Sequence, residues 1–251
     1  MSAPSHSIVP ITKDDIPTLA KLLCDSKLQL TINRLLFKDW PNEVAQVPNY
    51  TMAVEGGFVN PDNEAFKAID DKGESKCSSV RPPHRTAADS SLLAVLGHLA
   101  LTRIRPKRSE SATVLKGDQK VPDHFNRDIF AWVMKTVGEI DEDFKGIDHY
   151  GETTSPTIIQ ICAKYEVEVT HIYVKPMHRR RGIGSQLMKL CLAKAKADGV
   201  PLVSKVEPGA YEYFSKHGFK DTKHGDIDLS KFSPPYTGFG LFRLAGMVVP
   251  T

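Results

Sequence analysis

The spacing of apolar positions changes several times along the chain, and each change predicts an element. Residues 8–12 read as a short opening strand. Asp14 and Asp15 then offer an N-cap, Pro17 falls in the first turn, and Ile16, Leu19, Ala20, Leu22 and Leu23 recur at helical spacing. A second helical stretch spans 28–37 and stops before Pro41. The run EGGFVNPDNEAFKAIDD predicts a loop followed by a strand over 65–69, whose partner is the apolar LLAVLGHLALTRI of 92–104. Residues 71–91 are dominated by charge, Ser, Pro and Gly and read as a surface loop, and 107–122 as a second polar connector. Phe125, Ile129, Val133, Val137, Ile140 and Phe144 predict a long helix within 123–145. Residues 151–165 show neither caps nor alternation.

The last third is more regular. A strand over 167–174, a helix over 183–197 ended by Gly199, a strand over 202–206, a short helix over 209–216 ended by Gly218, and a strand over 240–249 follow in order. Strands alternating with helices predict an α/β fold of mixed α+β character with a partly parallel sheet. One domain over 1–251 is expected, with surface insertions at 71–91 and 151–165 and a regular core at 167–220.

Composition narrows the function. At 251 residues, 41% hydrophobic and 25% charged, the chain suits one globular domain, and no apolar run approaches the about 20 residues of a membrane span. The formal net charge is +3, and Lys175, Arg179, Arg180 and Arg181 alone carry four positives. The remaining chain is therefore close to neutral, which argues against a nucleic-acid surface and makes the basic segment a local feature. Cys24, Cys77, Cys162 and Cys191 are scattered without metal-ligand spacing, so no metal is expected. The opening MSAPSHSIVP carries no leader pattern, and the expected location is cytoplasmic, with a nuclear one still open.

The chemistry concentrates in EVTHIYVKPMHRRRGIGSQL, where a β-rich run meets a basic glycine turn and then a helix opening on Ile183, Gly184 and Ser185. A helix start offers unpaired N–H groups and the positive end of the helix dipole, and Gly182 and Gly184 leave room for phosphate oxygens. A triphosphate loop is excluded, because no Gly lies five positions before Gly182 or Gly184 with Lys following. A dinucleotide fingerprint fails at Leu187, which stands where a third glycine is required. The basic cluster alone would pass as a solvated turn or a nuclear-localisation patch; the preceding strand and following helix favour an anion site.

Val174, Pro176, Arg179, Gly182 and Gly184 reproduce Val-x-Pro followed by Arg-x-x-Gly-x-Gly, and this resembles the acetyl-CoA-binding motif of the GCN5-related N-acetyltransferase (GNAT) superfamily. The stretch EPGAYEYFSKHGFK resembles the helix and strand that close that superfamily's cofactor half. GFVNPDNEAFKAID, GHLALTR and DIDLSKF look most like fungal small-molecule-type members. The resemblance implies a mixed sheet splayed at an acetyl-CoA site, with Arg179, Arg180, Arg181, Gly182, Ile183, Gly184 and Ser185 on the cofactor's phosphates and backbone N–H groups of Ile172, Tyr173 and Val174 near its thioester. The implied activity is acetyl transfer from acetyl-CoA to a primary amine of a small molecule. Acetylation of a histone or protein N-terminus, and a noncatalytic acyl-CoA-binding module, are the alternatives. A homodimer stays open.

An alkylammonium must lose a proton before it attacks a thioester. Superfamily members that acetylate histones carry a Glu eleven residues before the motif's first position, which is Glu168 here; Glu166 could do the same job, and an exposed, solvated carboxylate at the strand's end is the alternative reading of Glu168. His171 is a further candidate base, although strand alternation puts it on the opposite face, where a hydrogen-bonded structural histidine is expected. Many members protonate the departing thiolate with a Tyr four residues before the Gly of their Gly-Phe pair. That place is Phe214, which has no proton to give, and Tyr211, on nearly the same helix face, becomes the candidate, with Tyr213 pointing about 100° away.

Overall fold

The computed structural model describes residues 6–70, 95–105, 121, 123–151 and 171–250. In chain order these form β1 (His6–Pro10), α1 (Ile16–Leu28), α2 (Asn33–Leu36), α3 (Glu43–Val59), β2 (Asn63–Asp70), β3 (Val95–Ile104), α4 (Arg127–Asp141), β4 (His149–Gly151), β5 (His171–Val174), α5 (Ile183–Asp198), β6 (Leu202–Val206), α6 (Tyr211–Lys216), β7 (Lys220–Asp228) and β8 (Leu241–Val249). The sheet order is β1-β2-β3-β4-β6-β8-β7, with β5 also paired to β3. Among the described pairs only β4 and β6 run parallel. The mixed, partly parallel sheet flanked by helices is the fold expected.

Each face of the sheet has its own core. Ile183, Leu187, Met188 and Cys191 of α5 and Phe214 of α6 pack on Leu99, Leu101, Leu202, Val206 and Met247. On the other side Ile129, Val133, Val137 and Ile140, one stripe of α4, cover Val203, Ile227, Phe242 and Leu244. The approach is close enough that a Cβ on Gly225 would lie 2.4 Å from Thr136 Cγ2, so glycine is required there. Over β3 and β5 the covering elements are α1 and α3, through Leu19, Leu22 and Val54 against Val95 and Tyr173.

Several local expectations are corrected. Asp15 is the N-cap of α1, as expected, but its carboxylate bonds backward and not into the helix: it accepts from the Thr12 N–H at 2.7 Å and the Thr12 hydroxyl at 2.8 Å across the 3₁₀ turn Lys13–Asp15 that precedes α1. The second helical stretch shrinks to α2, because Asn33 Nδ2 donates to the Lys27 carbonyl at 2.8 Å and folds the chain back at the end of α1. The loop expected from Glu55 is the last part of α3. Pro48 and the Gly56–Gly57 pair disguise that helix, and its buried stripe of Gln46, Asn49, Tyr50 and Ala53 keeps helical spacing with polar residues. Strand β7, absent from the periodicity reading, is mostly exposed along its length and so carries no alternating apolar signal.

The insertion at 71–91 lies outside the described residues, as does nearly all of that at 151–165. Their anchor points are described. Ile69 pairs with Val95, so the intervening chain leaves and returns at neighbouring strand ends. On the other edge of β3, Tyr150 lies opposite Arg103, Gly151 opposite Thr102 and His171 opposite Ala100. β4 and β5 are therefore two halves of one strand position in continuous register. A single residue opposite Leu101 would join them, and the chain has residues 152–170 there.

Candidate active site

β5 positions the site by ending its partnership on one side. The Lys175 N–H donates to the Leu96 carbonyl at 2.9 Å, and antiparallel alternation then turns the Tyr173 N–H toward β3 as well. The N–H groups of Ile172 and Val174 point the other way, toward β6, with which β5 makes no ladder among the described residues. Of the three N–H donors expected near a thioester, two face the gap and Tyr173 faces β3. The β3–β5 contact is tight at Gly97, where a Cβ would lie 2.5 Å from the Tyr173 carbonyl oxygen.

The chain leaves β5 through a 3₁₀ turn at Pro176–His178 and enters α5 at Ile183. Gly182 is the N-cap at φ +82°, and a Cβ there would meet open space. Arg180 also takes a positive φ, 61°. Arg179 Nε donates to the Val174 carbonyl at 3.2 Å and its guanidinium lies 5.9 Å from the Tyr173 ring centre. A guanidinium nitrogen of Arg181 is 2.9 Å from His178 Nδ1. Arg179, Arg180, Arg181 and Gly182 are exposed, Gly184 and Ser185 half-buried, and Ile183 is buried in the core under α5. The N–H groups of the first helical turn, Ile183 to Ser185, have no intrahelical acceptor to use. These residues fit an anionic pyrophosphate: an open turn, free N–H groups, a helix dipole and three arginines at one place.

Two clefts meet at β5. One lies under α1 and α3 and is lined by Leu19, Leu23, Val54, Phe58, His98 and His171 among others. The second lies in the gap toward β6 and is lined by His171, Ile172, Cys191, Ser204 and Phe214 among others. Leu99 and His171 line both. His171 was expected to be a satisfied structural histidine. Its Nε2 does contact His98 Nε2, but its Nδ1 is buried and unpartnered among the described residues, as are His98 Nδ1 and Ser204 Oγ. Burial drives the His98 imidazole down to about 3, and burial, then His98 and Lys27, drive His171 well below its ordinary range. Both rings are neutral at physiological pH. His98 and Ser204 escape sequence reading because each is a polar residue among mostly apolar ones on the buried part of its strand, which periodicity treats as noise.

The two proposed acid–base residues fare differently. Glu168 lies outside the described residues; continuing the β5 register back by that count leads to the place opposite Arg103, and Tyr150 holds it. Tyr150 donates to Asp198 at 2.6 Å, and burial together with Asp198 pushes its phenol up to about 12. Tyr211 turns its hydroxyl to Asp221 on β7 at 2.6 Å. Tyr213 instead donates to the Gly184 carbonyl at 2.7 Å, at the glycine turn itself.

Residues 131–221 match the family model of the acetyltransferase (GNAT) domain. No curated protein matches the chain. Among solved structures, one titled histone acetyltransferase HPA2 and related acetyltransferase, from Corynebacterium glutamicum, is 13% identical over 98% of this chain and 97% of that one, with a TM-score of 0.53. A candidate arylalkylamine N-acetyltransferase 7 from the yellow fever mosquito Aedes aegypti is 14% identical over 97% and 86% of the two chains, also with a TM-score of 0.53. At such identities the likeness shows a shared fold. The matched domain and that fold together indicate an acyltransferase.

Proposed function

We propose that this chain uses acetyl-CoA to acetylate a primary amine on a small molecule. The observation that carries the reading is the unit of β5, glycine turn and α5 beside the β5–β6 gap. Arg179, Arg180, Arg181 and the N–H groups of Gly182, Ile183, Gly184 and Ser185 would hold the pyrophosphate. The N–H groups of Ile172 and Val174, aimed into the gap, would meet the thioester oxygen as negative charge builds on it. A small acceptor is favoured over a protein by the cleft beneath α1 and α3, whose lining is largely apolar and which the two helices roof over. The likeness of GFVNPDNEAFKAID and GHLALTR to fungal small-molecule-type members points the same way. Glu168, the base that the superfamily resemblance suggests, stays a candidate outside the described residues.

The test is a thiol-release assay with acetyl-CoA against a panel of small primary amines, histone-tail peptides and protein N-terminal peptides. Turnover on a small amine with little on peptides is expected. Preference for either peptide class would move the acceptor to proteins, and saturable acetyl-CoA binding with no turnover on any acceptor would make the chain a binding module.

A further inference from the structure

Among the described residues, no charged side chain lines the cleft under α1 and α3. Leu19 and Leu23 of α1, Val54 and Phe58 of α3 and Leu99 of β3 supply most of its wall. Leu19, Leu23 and Leu99 are buried whereas Phe58 is exposed, so Phe58 marks the open end. Three polar side chains complete the lining: Asn63, His98 and His171. Asn63 is engaged at both ends, its Nδ2 donating to the Gly57 carbonyl at 2.7 Å and its Oδ1 accepting from the Thr102 hydroxyl at 3.0 Å. The two imidazoles touch at Nε2 and are neutral at physiological pH, because burial holds both well below their ordinary range.

The charges around the cleft are committed to one another. Lys67 lies opposite His98 in the β2–β3 register, and its ammonium holds Asp15 at 2.6 Å; Asp15 also accepts from the Thr12 N–H and hydroxyl. Further along α1, Asp25 is bonded to Lys21 at 2.7 Å, and Lys27 lies 3.6 Å from Glu207, which follows β6. Toward the open end Asp62 is paired with Arg105, and Glu55 is exposed without lining the cleft. A second ammonium on an acceptor would therefore meet no uncommitted carboxylate in the wall, and a carboxylate no uncommitted cation. Moving an unpaired charge out of water into such a lining is strongly unfavourable, whereas an alkyl or aryl group gains from each apolar surface it covers.

We infer that the acceptor carries its reacting amine as its one charged group, on an alkyl or aryl body, and that Val54 and Phe58 select it by covering that body. The inference rests on the small-amine reading and names the substrate class of the same site. The body lies under α1 and α3 with the amine at the His171 end, because His171 also lines the cleft toward the β5–β6 gap where the thioester would sit. The reacting nitrogen becomes a neutral amide, so the product leaves no charge in the apolar wall. Diamines and amino acids keep a second charge at the far end of the body, and the shorter the body, the less able that charge is to reach water past Phe58. Asn63 is a positioning residue, because its bonds to Gly57 and Thr102 tie the end of α3 that carries Phe58 to β3.

The thiol-release assay is run on the wild type with amines matched in length: butylamine against butanediamine, and hexylamine and phenylethylamine against hexanediamine and the six-carbon ω-amino acid. kcat/KM for the monoamine is expected to exceed that of its doubly charged match by about a hundredfold in the shorter pair and on the order of tenfold in the longer set. Phe58→Ala should raise KM for hexylamine and phenylethylamine by roughly tenfold, with kcat nearly unchanged and acetyl-CoA affinity as in the wild type by calorimetry. Val54→Asp puts a carboxylate into the wall and should turn the preference toward the diamines; if this variant fails to fold, the wild-type panel decides. Equal kcat/KM for singly and doubly charged amines, or a wild type that prefers a diamine or the amino acid, overturns the inference and leaves the small-amine reading standing. Turnover confined to peptides, or acetyl-CoA binding with no turnover on any amine, sinks that reading and this inference with it.

Discussion

Tyr213 donates its hydroxyl hydrogen to the carbonyl of Gly184 at 2.7 Å, which latches α6 onto the first turn of α5. Burial pushes this phenol well above its ordinary range, so it stays a donor at any working pH. Tyr213→Phe should lose about 1 kcal/mol from this bond. We expect a lower melting temperature and acetyl-CoA affinity reduced by roughly fivefold in calorimetry. Tyr211→Phe, whose exposed hydroxyl bonds Asp221, should be close to wild type in both and in turnover. A large turnover loss in Tyr211→Phe alone would restore it as the thiolate's proton donor.

Gly184 should resist substitution by a charge. A Cβ there would lie 3.4 Å from the Tyr213 hydroxyl oxygen, which a small side chain can tolerate, and 3.7 Å from Val174 Cγ2. Gly184→Asp adds a carboxylate where phosphates would sit, and we expect acetyl-CoA affinity to fall at least about tenfold by calorimetry, or ~1.4 kcal/mol. Gly184→Ala should stay within a few-fold. Equal, wild-type affinities for both would remove the glycine turn from the cofactor site.

Residues 151–168 should be removable. Joining Tyr150 directly to Val169 keeps Tyr150 opposite Arg103 and His171 opposite Ala100 with two residues between, so β4 and β5 become one strand. The shortened protein is expected to fold with a melting temperature equal to or above that of the full chain, since a shorter connection has less closure entropy to lose. Loss of cooperative unfolding in calorimetry would mean that these residues are part of the core. The same logic predicts that a tight turn can replace residues 71–94, because Ile69 already faces Val95.

Stability should fall on acidification in a window set by the buried histidines. An unfolded imidazole titrates near 6.5, whereas folded His98 titrates at about 3 and His171 is also held well below 6.5. Below pH 6.5 the unfolded chain therefore binds protons that the folded chain refuses, and stability drops with falling pH by about 1.4 kcal/mol per unit for each such ring until its folded value is reached. Denaturant melts of the wild type and His98→Gln between about pH 7 and 4 should show a shallower slope in the variant. Identical slopes would mean that His98 is not held neutral by burial.

The sequence by itself determined the elements that follow β5. Periodicity places α5 and β6 within a residue of where they lie, since each has a continuous buried face bounded by glycine or proline. The Arg179, Gly182 and Gly184 spacing marks the candidate anion site because helix starts need local backbone chemistry that a short motif can encode. Only the tertiary structure decided which groups meet across the sheet. The direction of the Ile172 and Val174 N–H groups depends on which β3 residue each faces. His98 and His171 belong to different strands, and their contact exists only in that register. Counting back from Arg179 to Glu168 assumes one unbroken strand, and the place it leads to is filled by Tyr150 from the other side of a long connection. Distances along the chain encode local geometry. Non-local pairing decides what faces the gap, because a shift in register or a bulge turns a strand's groups to the other side.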